Sequence, residues 1–427
     1  MKTDVYEISK GVKLRFIETD KFKTNVLSVY FCLPLCRENV TCAALIPRVL
    51  KRGSVKYPTM AQLSRRAEEL YGASIGADIL KEGDELLIRA SAQFVSDSFI
   101  TETIIKDIAE LLYEFVLCPI TKDGAFDKTY VEQEKENAKN FIKGLINDKK
   151  EYAQVRCNEI MFEGDPYGNF SYGYVEDLEC IDEKNLYDFY KDVIETAEVN
   201  IFASGCFDKD AVKAEIEKTF GKALSPRDSK RTRTNLAAFE ESIKVKEVTE
   251  EITASQSKLC MGFNCGIEPA SDECYAVAVF SCIYGGSPFS KLFNNVREKL
   301  SLAYYVFSAF NRQKSFMRIS AGVEAGKFSA AYDEILLQLD MMKNGDFSDD
   351  EIASAKKYLK TQVGSIKDSL VATEDFYMTR AMMLVDESPD EFLEKINKVS
   401  REEIIAAANK MQLDTVYFLK GVSGDEI

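Results

Sequence analysis

Hydrophobic and polar positions along this chain fall into two successive series of the same kind of element. Asn25 to Leu33 reads NVLSVYFCL, an apolar run with β-branched and aromatic residues that predicts a strand. A helix is expected from about Cys42. Another begins at Thr59, where Thr59 and Gln62 form a capping-box pattern, and closes at Gly72 as its C′ residue. Ala73 to Leu80 and Glu85 to Phe94 predict strands joined by Glu82-Gly83-Asp84. Helical patterns run from about Ser96 to Val116 and from Asp123 to Asn147. Val199 to Ser204 predicts a short strand, and Asp208 to Phe220 a closing helix.

The second series begins with a strand at Lys258 to Cys265 and a helix at Ser271 to Tyr284, broken by Gly285-Gly286-Ser287-Pro288. Phe289 to Lys299 is expected to be helical. Leu302 to Phe310 and Phe316 to Val323 predict strands around the turn Asn311-Arg312-Gln313. Long helices follow, one opened by Ser348-Asp349-Asp350-Glu351 and another by Ser400-Arg401-Glu402-Glu403; Val416 to Leu419 closes the sheet. Glu68 to Ala73 aligns with Glu298 to Ala303, and Leu86 to Ala92 with Phe316 to Gly322 after a one-residue shift. Internal duplication of an α/β unit is the economical reading; the alternative is coincidence of a common helix-strand-strand order. Ser225 to Thr234 is polar, basic and aperiodic, so domains are expected at 1–221 and 246–427, with a linker at 222–245.

Composition narrows the chemistry. The 427 residues are 46% hydrophobic and 29% charged, as in a well-packed globular chain. Lys and Arg number 55 against 70 Asp and Glu, a net charge of −15, which disfavours nucleic acid and anionic membrane surfaces as partners. The opening MKTDVYEISKGVKLRF is charged and alternating, unlike a signal or transit peptide. Apolar runs such as Ala276 to Phe280 are too short to span a bilayer, so a cytoplasmic location is expected. Eleven cysteines are scattered without a CxxC pair, which reads as buried reduced thiols rather than a disulfide framework or a metal knuckle.

The chain contains no histidine. That excludes a Ser-His-Asp triad, a Cys-His pair and a His-based zinc site within it. There is no G-x-S-x-G elbow, and Gly285-Gly286-Ser287-Pro288 lacks the Lys-Ser/Thr of a phosphate loop, so an independent hydrolase is the weakest reading.

Three stretches carry a resemblance. Gly285 to Val306 reads GGSPFSKLFNNVREKLSLAYYV: a Gly-rich turn, a helix ending in Arg-Glu-Lys, then Leu-Ala-Tyr on a strand. Asp165-Pro166-Tyr167-Gly168 is followed by Gly173 and by Tyr187 to Val199. Lys51 to Pro58 reads KRGSVKYP. In this order they resemble the M16 peptidase family (pitrilysin, the processing peptidases and bacterial relatives). The resemblance implies an α+β fold of two homologous halves, each a mostly antiparallel sheet with helices packed on it. It also implies an H-x-x-E-H zinc motif on a helix, with two ligands on one face and the glutamate as general base. Counting back from Lys51, the motif falls on Ala44-Leu45-Ile46-Pro47-Arg48. Ala44 has no donor atom, Pro47 cannot serve as base, and Arg48 would repel a cation. Glu134 matches the family's distal glutamate ligand, and alone it reads as a relic or a charge on a solvated helix face.

Arg297 and Tyr304 survive. The resemblance implies that they bind the substrate backbone and stabilise the oxyanion at a zinc site across a chamber; the plain alternative is an ion-paired arginine and a core tyrosine. Tyr305 is expected on the opposite face of the strand from Tyr304. No cofactor is expected in this chain. The resemblance implies a heterodimer in which a zinc-bearing M16-type partner cleaves a peptide positioned by Arg297 and Tyr304. The alternative is an inactive scaffold or binding protein, such as those of M16-type pairs associated with modification of a translation factor.

Overall fold

A computed structural model describes residues 3–224, 226–227 and 244–422. Of the expected linker at 222–245, residues 225 and 228–243 lie outside the described residues.

The first half supplies strands β1 (Asp4–Ser9), β2 (Val12–Glu18), β3 (Thr24–Pro34), β4 (Ser74–Glu82), β5 (Glu85–Val95), the two-residue β6 (Thr121–Lys122) and β7 (Ala125–Phe126), and β8 (Glu198–Gly205). Its helices are α1 (Val40–Leu50), α2 (Met60–Glu69), α3 (Ile105–Leu117), α4 (Lys128–Gly144), α5 (Lys149–Met161), α6 (Glu183–Thr196) and α7 (Lys209–Ala223). The sheet runs β1-β2-β8-β3-β5-β4, antiparallel except for the β2–β8 pair. Period-two side chains of β3 (Leu27, Val29, Phe31) and β5 (Ile88, Ala90, Ala92) face a core completed by α1, α3 and α6.

The second half supplies β9 (Lys246–Thr253), β10 (Ser257–Asn264), β11 (Ala303–Asn311), β12 (Phe316–Val323) and β13 (Gln412–Val422). Its helices are α8 (Glu273–Ser281), α9 (Phe328–Lys343), α10 (Asp349–Ile366), α11 (Leu370–Met383), α12 (Pro389–Lys398) and α13 (Arg401–Asn409). Its sheet runs β11-β12-β10-β13-β9, with only β13–β9 parallel. This is the order β4-β5-β3-β8-β2 over again, with the same parallel pair, so the duplication expected from the sequence is present in the fold.

Two compact units result, and neither is contiguous in sequence. The described residues of the first fall within Met1–Lys143, Asn169–Thr234 and Asp368–Thr379; those of the second within Gly144–Gly168, Asn235–Lys367 and Arg380–Ile427. Each sheet therefore carries, on the face opposite its core, a helical segment contributed by the other half of the chain. Arg89 of β5 and Arg318 of β12 show this at matched positions. Arg89 donates to Asp78 and to Asp375 of α11, each at 2.9 Å. Arg318 donates to Gln154 (2.6 Å) and Asn158 (3.2 Å) of α5.

Three helix expectations shift. Instead of starting near Ser96, α3 starts at Ile105, because the Ser96 and Asp97 side chains bind the backbone N–H groups of Ser98 and Ile104 and hold a separate turn. The pattern from Asp123 begins with a β6–β7 hairpin: Asp123 (φ 54°) and Gly124 (φ 78°) form the left-handed pair such a turn needs, and α4 follows from Lys128. Helix α8 ends at Ser281 and passes into a π-helical turn at Cys282–Gly286.

Candidate functional site

Helix α1 carries the position of the lost metal motif, and it is a core helix. Val40, Ala43, Ala44, Leu45, Ile46, Pro47 and Val49 are all buried, so Ala44 and Pro47 offer hydrocarbon where a metal needs lone pairs. Arg48 lies with its guanidinium 5.3 Å from the ring centroid of Phe141, and Phe141 packs on Tyr172 at 4.8 Å. One turn further, Arg52 donates from Nε to Glu134 Oε1 at 2.6 Å and pairs with the same oxygen through a second guanidinium nitrogen. Asn137 donates to the other Glu134 oxygen at 3.3 Å.

Glu134 is only 8% exposed. The expectation of a solvated charge is corrected here: α4 turns Glu134 inward because Arg52, from the stretch after α1, meets it there. A guanidinium thus takes the positive position beside the carboxylate that the resemblance matched to a zinc ligand. These residues do not fit a zinc ion. Among the described residues no three His, Cys, Asp or Glu side chains converge as a metal site.

Arg297 and Tyr304 stand at the edge of the second sheet. Phe293–Lys299 is a π-helix, with Leu300 N–H bonded to Asn295 O at 3.1 Å. Arg297 is 42% exposed at its side chain; its guanidinium sits 4.7 Å over Phe293, and Nε lies 3.4 Å from the Glu298 carboxylate. Ser301 (φ 49°) then reverses the chain into β11. The β11–β12 register slips between Ala303 and Tyr305, so Tyr304 is the extra residue of a β-bulge. Tyr304 is 52% exposed, and its hydroxyl donates to Glu324 at 3.2 Å. Lys327 also binds Glu324 (3.1 Å), and that ammonium, with the Tyr304 hydroxyl adding to it, holds the carboxyl below its ordinary range. Tyr305 separates from Tyr304 and packs half-buried across Gly322, where a Cβ would come 2.5 Å from the ring. Arg297 and Tyr304 are therefore both displayed, each beside its own acid.

Sequence reasoning missed Glu374. It is fully buried on α11, accepts bonds from the Ser28 and Ser204 hydroxyls at 2.6 Å each, and lies 3.5 Å from the Tyr30 hydroxyl. Burial lifts its pKa to about 7, against the pull of those hydroxyls. No local pattern marked it, because its partners are more than 150 residues away in the chain.

A family model described as the peptidase M16 inactive domain matches residues 181–359. A Bacillus subtilis protein named probable inactive metalloprotease YmfF is 34% identical over 416 residues, covering 97% of each chain. A second Bacillus subtilis protein, named uncharacterized zinc protease YmxG, is 25% identical over 304 residues, 68% of this chain and 71% of its own. The crystal structure of a conserved protein from Enterococcus faecalis V583 matches with a TM-score of 0.91 at 28% identity over 99% of both chains. That of a peptidase M16 inactive domain from Pseudomonas fluorescens matches with a TM-score of 0.77 at 18% identity over 99% of both, a likeness of fold.

Proposed function

The chain belongs to the M16 peptidase family, beside members named inactive, and we propose that it is the metal-free subunit of a two-chain zinc peptidase. In this reading a partner chain carries the zinc and activates water, and this chain holds an extended peptide at the β11 edge. Arg297 and Tyr304 donate hydrogen bonds to the substrate backbone and to the oxygen that gains charge as water attacks. Donors placed in advance toward that oxygen lower the barrier without reorganising during the step. An edge strand suits such a substrate, because its outer N–H and C=O groups can pair with an extended chain.

The observation that carries the reading is the asymmetry: the metal corner is filled by hydrocarbon and arginine, while the Arg-Tyr pair is displayed on a π-helix and a bulge. Bacillus subtilis also holds both kinds of relative, one named inactive and one named a zinc protease. The test is zinc content and peptidase activity of the purified chain, alone and mixed with a zinc-bearing M16 subunit. Activity is expected only on mixing, and Arg297→Ala or Tyr304→Phe should then lower kcat about 100-fold. Full activity from either variant in the pair, or zinc-dependent activity from this chain alone, would overturn the proposal.

A second reading, an inactive scaffold of the M16 fold, is favoured by one observation: Arg297 and Tyr304 already engage Glu298 and Glu324. It predicts a stable co-purifying partner and a complex without peptidase activity.

A further inference from the structure

On the face of the second sheet opposite its core, a group of cations lies close to the β11 edge. Lys258 of β10 is 9% exposed, and its Nζ donates to the neutral amide oxygen of Gln256 at 3.0 Å. No carboxylate among the described residues lies within ion-pair distance of it. Lys150, in the first turn of α5, has Nζ 5.2 Å from the ring centroid of Tyr305 and 4.7 Å from that of Phe307. Lys258 Nζ is 5.5 Å from the same Tyr305 ring. Gly322 is what lets that ring pack onto β12.

Lys150 and Lys258 border a cleft of about 520 Å³, lined also by Lys149, Asp148 and the turn at 253–256. Asp148 is the one acid on the cleft wall, and its Oδ1 already caps α5 by accepting the Lys150 and Glu151 N–H groups at 3.0 Å each. Three lysines thus line the cleft with a single acid, in a chain whose net charge is −15. Burial, aided by repulsion from Lys150, pushes the Lys258 pKa down although Asp148 opposes it. A buried cation with no acid in contact is costly, and an incoming anion removes that cost.

We propose that the Lys150–Lys258 cleft binds a carboxylate of an acidic peptide lying along β11, so that this chain selects peptides with an acidic residue beside the segment held at Tyr304. The proposal rests on the reading of β11 as the peptide-bearing edge. Lysine suits it, because an ammonium is a compact charge that accepts a carboxylate without demanding planar geometry. The Tyr305 and Phe307 rings hold the ammonium groups beside the cleft by cation–π attraction.

The test is calorimetric titration of the full chain with three probes: an extended octapeptide carrying three glutamates, the same peptide with glutamines, and inorganic phosphate. The glutamate peptide is expected to bind about tenfold more tightly than the glutamine peptide. That advantage should vanish in Lys150→Gln and in Lys258→Gln, with affinity for the glutamine peptide unchanged. Lys150 is exposed, so its variant keeps the test valid if Lys258→Gln fails to fold. Equal binding of both peptides overturns the carboxylate site and leaves the edge-strand reading standing. Failure of both peptides overturns the two together. Lysine-dependent binding of phosphate without any glutamate preference overturns the peptide form of the proposal, by assigning the cleft to a free anion.

Discussion

The turn that follows α2 in the first unit and the turn that precedes β11 in the second are hydrogen-bonded alike. In the first, Gly72 N–H bonds Glu68 O at 3.0 Å and Ala73 N–H bonds Ala67 O at 3.0 Å; in the second, Ser301 bonds Arg297 O at 3.1 Å and Leu302 bonds Val296 O at 2.8 Å. By this pattern Ser301 stands where Gly72 stands, one residue earlier than the sequence alignment of Glu68 with Glu298 has it, and the offset of 229 residues is the one that relates Arg89 to Arg318. The segments before and after the turns differ. Helix α2 is a regular α-helix, and β4 pairs with β5 without a break. Their counterparts are a π-helix and a bulged strand. Both irregularities sit at Arg297 and Tyr304, and both are extra residues in a regular ladder, the kind of local misfit found where a side chain is being aimed. In the first unit the Arg52 and Glu134 groups are sealed against each other, while in the second Arg297 and Tyr304 are displayed.

The sharpest way to break that contrast is to remove the seal. Arg52→Ala leaves the buried Glu134 carboxylate without its cation, which should cost about 4 kcal/mol of unfolding free energy. Replacing both residues with methionine should cost far less, since the pair's own desolvation disappears with it. Arg297→Ala, which breaks an exposed pair with Glu298, should change stability by less than about 1 kcal/mol. Urea unfolding of the four proteins measures all of this. An Arg52→Ala cost as small as that of Arg297→Ala would mean that the first corner is not sealed by this pair.

A second contrast concerns the faces opposite the two cores. The first holds the Glu374 carboxyl; the second, at α5, holds the buried thiols of Cys157 and Cys260 beside each other. The Glu374 pKa is about 7 in the folded chain and that of an ordinary glutamate, about 4.5, when unfolded. The folded state therefore holds this proton more tightly. Its stabilising effect is complete below pH 4.5 and is lost as pH rises through 7, on the order of 3 kcal/mol in all. Glu374→Gln, which mimics the protonated form, should match the parent near pH 4.5 and exceed it near pH 8. A difference between the two proteins that does not change from pH 4.5 to 8 would refute the assignment.

What the sequence made legible follows from where the information lies. Strands β3, β5, β10 and β12 were readable because apolar residues dominate each run, and the boxes at Ser348 and Ser400 because capping is local: each hydroxyl accepts from the N–H three residues on. The Arg-Tyr pair was readable as a resemblance, since both residues lie within one unbroken motif. Illegible were features made by distant partners. Glu134 looked like a surface charge because Arg52 is 82 residues away. Nothing near β10 announces that α5, from the other half of the chain, would bring Lys150 over Tyr305. The π-helix and the bulge escaped because they change the count of residues in an element without changing its composition.

The smallest expected effects test whether the two turns are equivalent. A left-handed residue other than glycine is strained by about 1 kcal/mol, and glycine gives back roughly half of that through the greater freedom of its unfolded chain. Ser301→Gly should therefore raise stability by about 0.5 kcal/mol, and Gly72→Ser should lower it by a similar amount, since no atom lies within 4 Å of the position its Cβ would take. The pair of variants also separates scaffold from function. Ser301 lies between Arg297 and Tyr304, so a slacker turn there should weaken peptide cleavage in the reconstituted complex, whereas Gly72→Ser should leave cleavage untouched. Equal effects of the two on cleavage would mean that the second turn only joins a helix to a strand, as the first does, and that the π-helix and the bulge aim nothing.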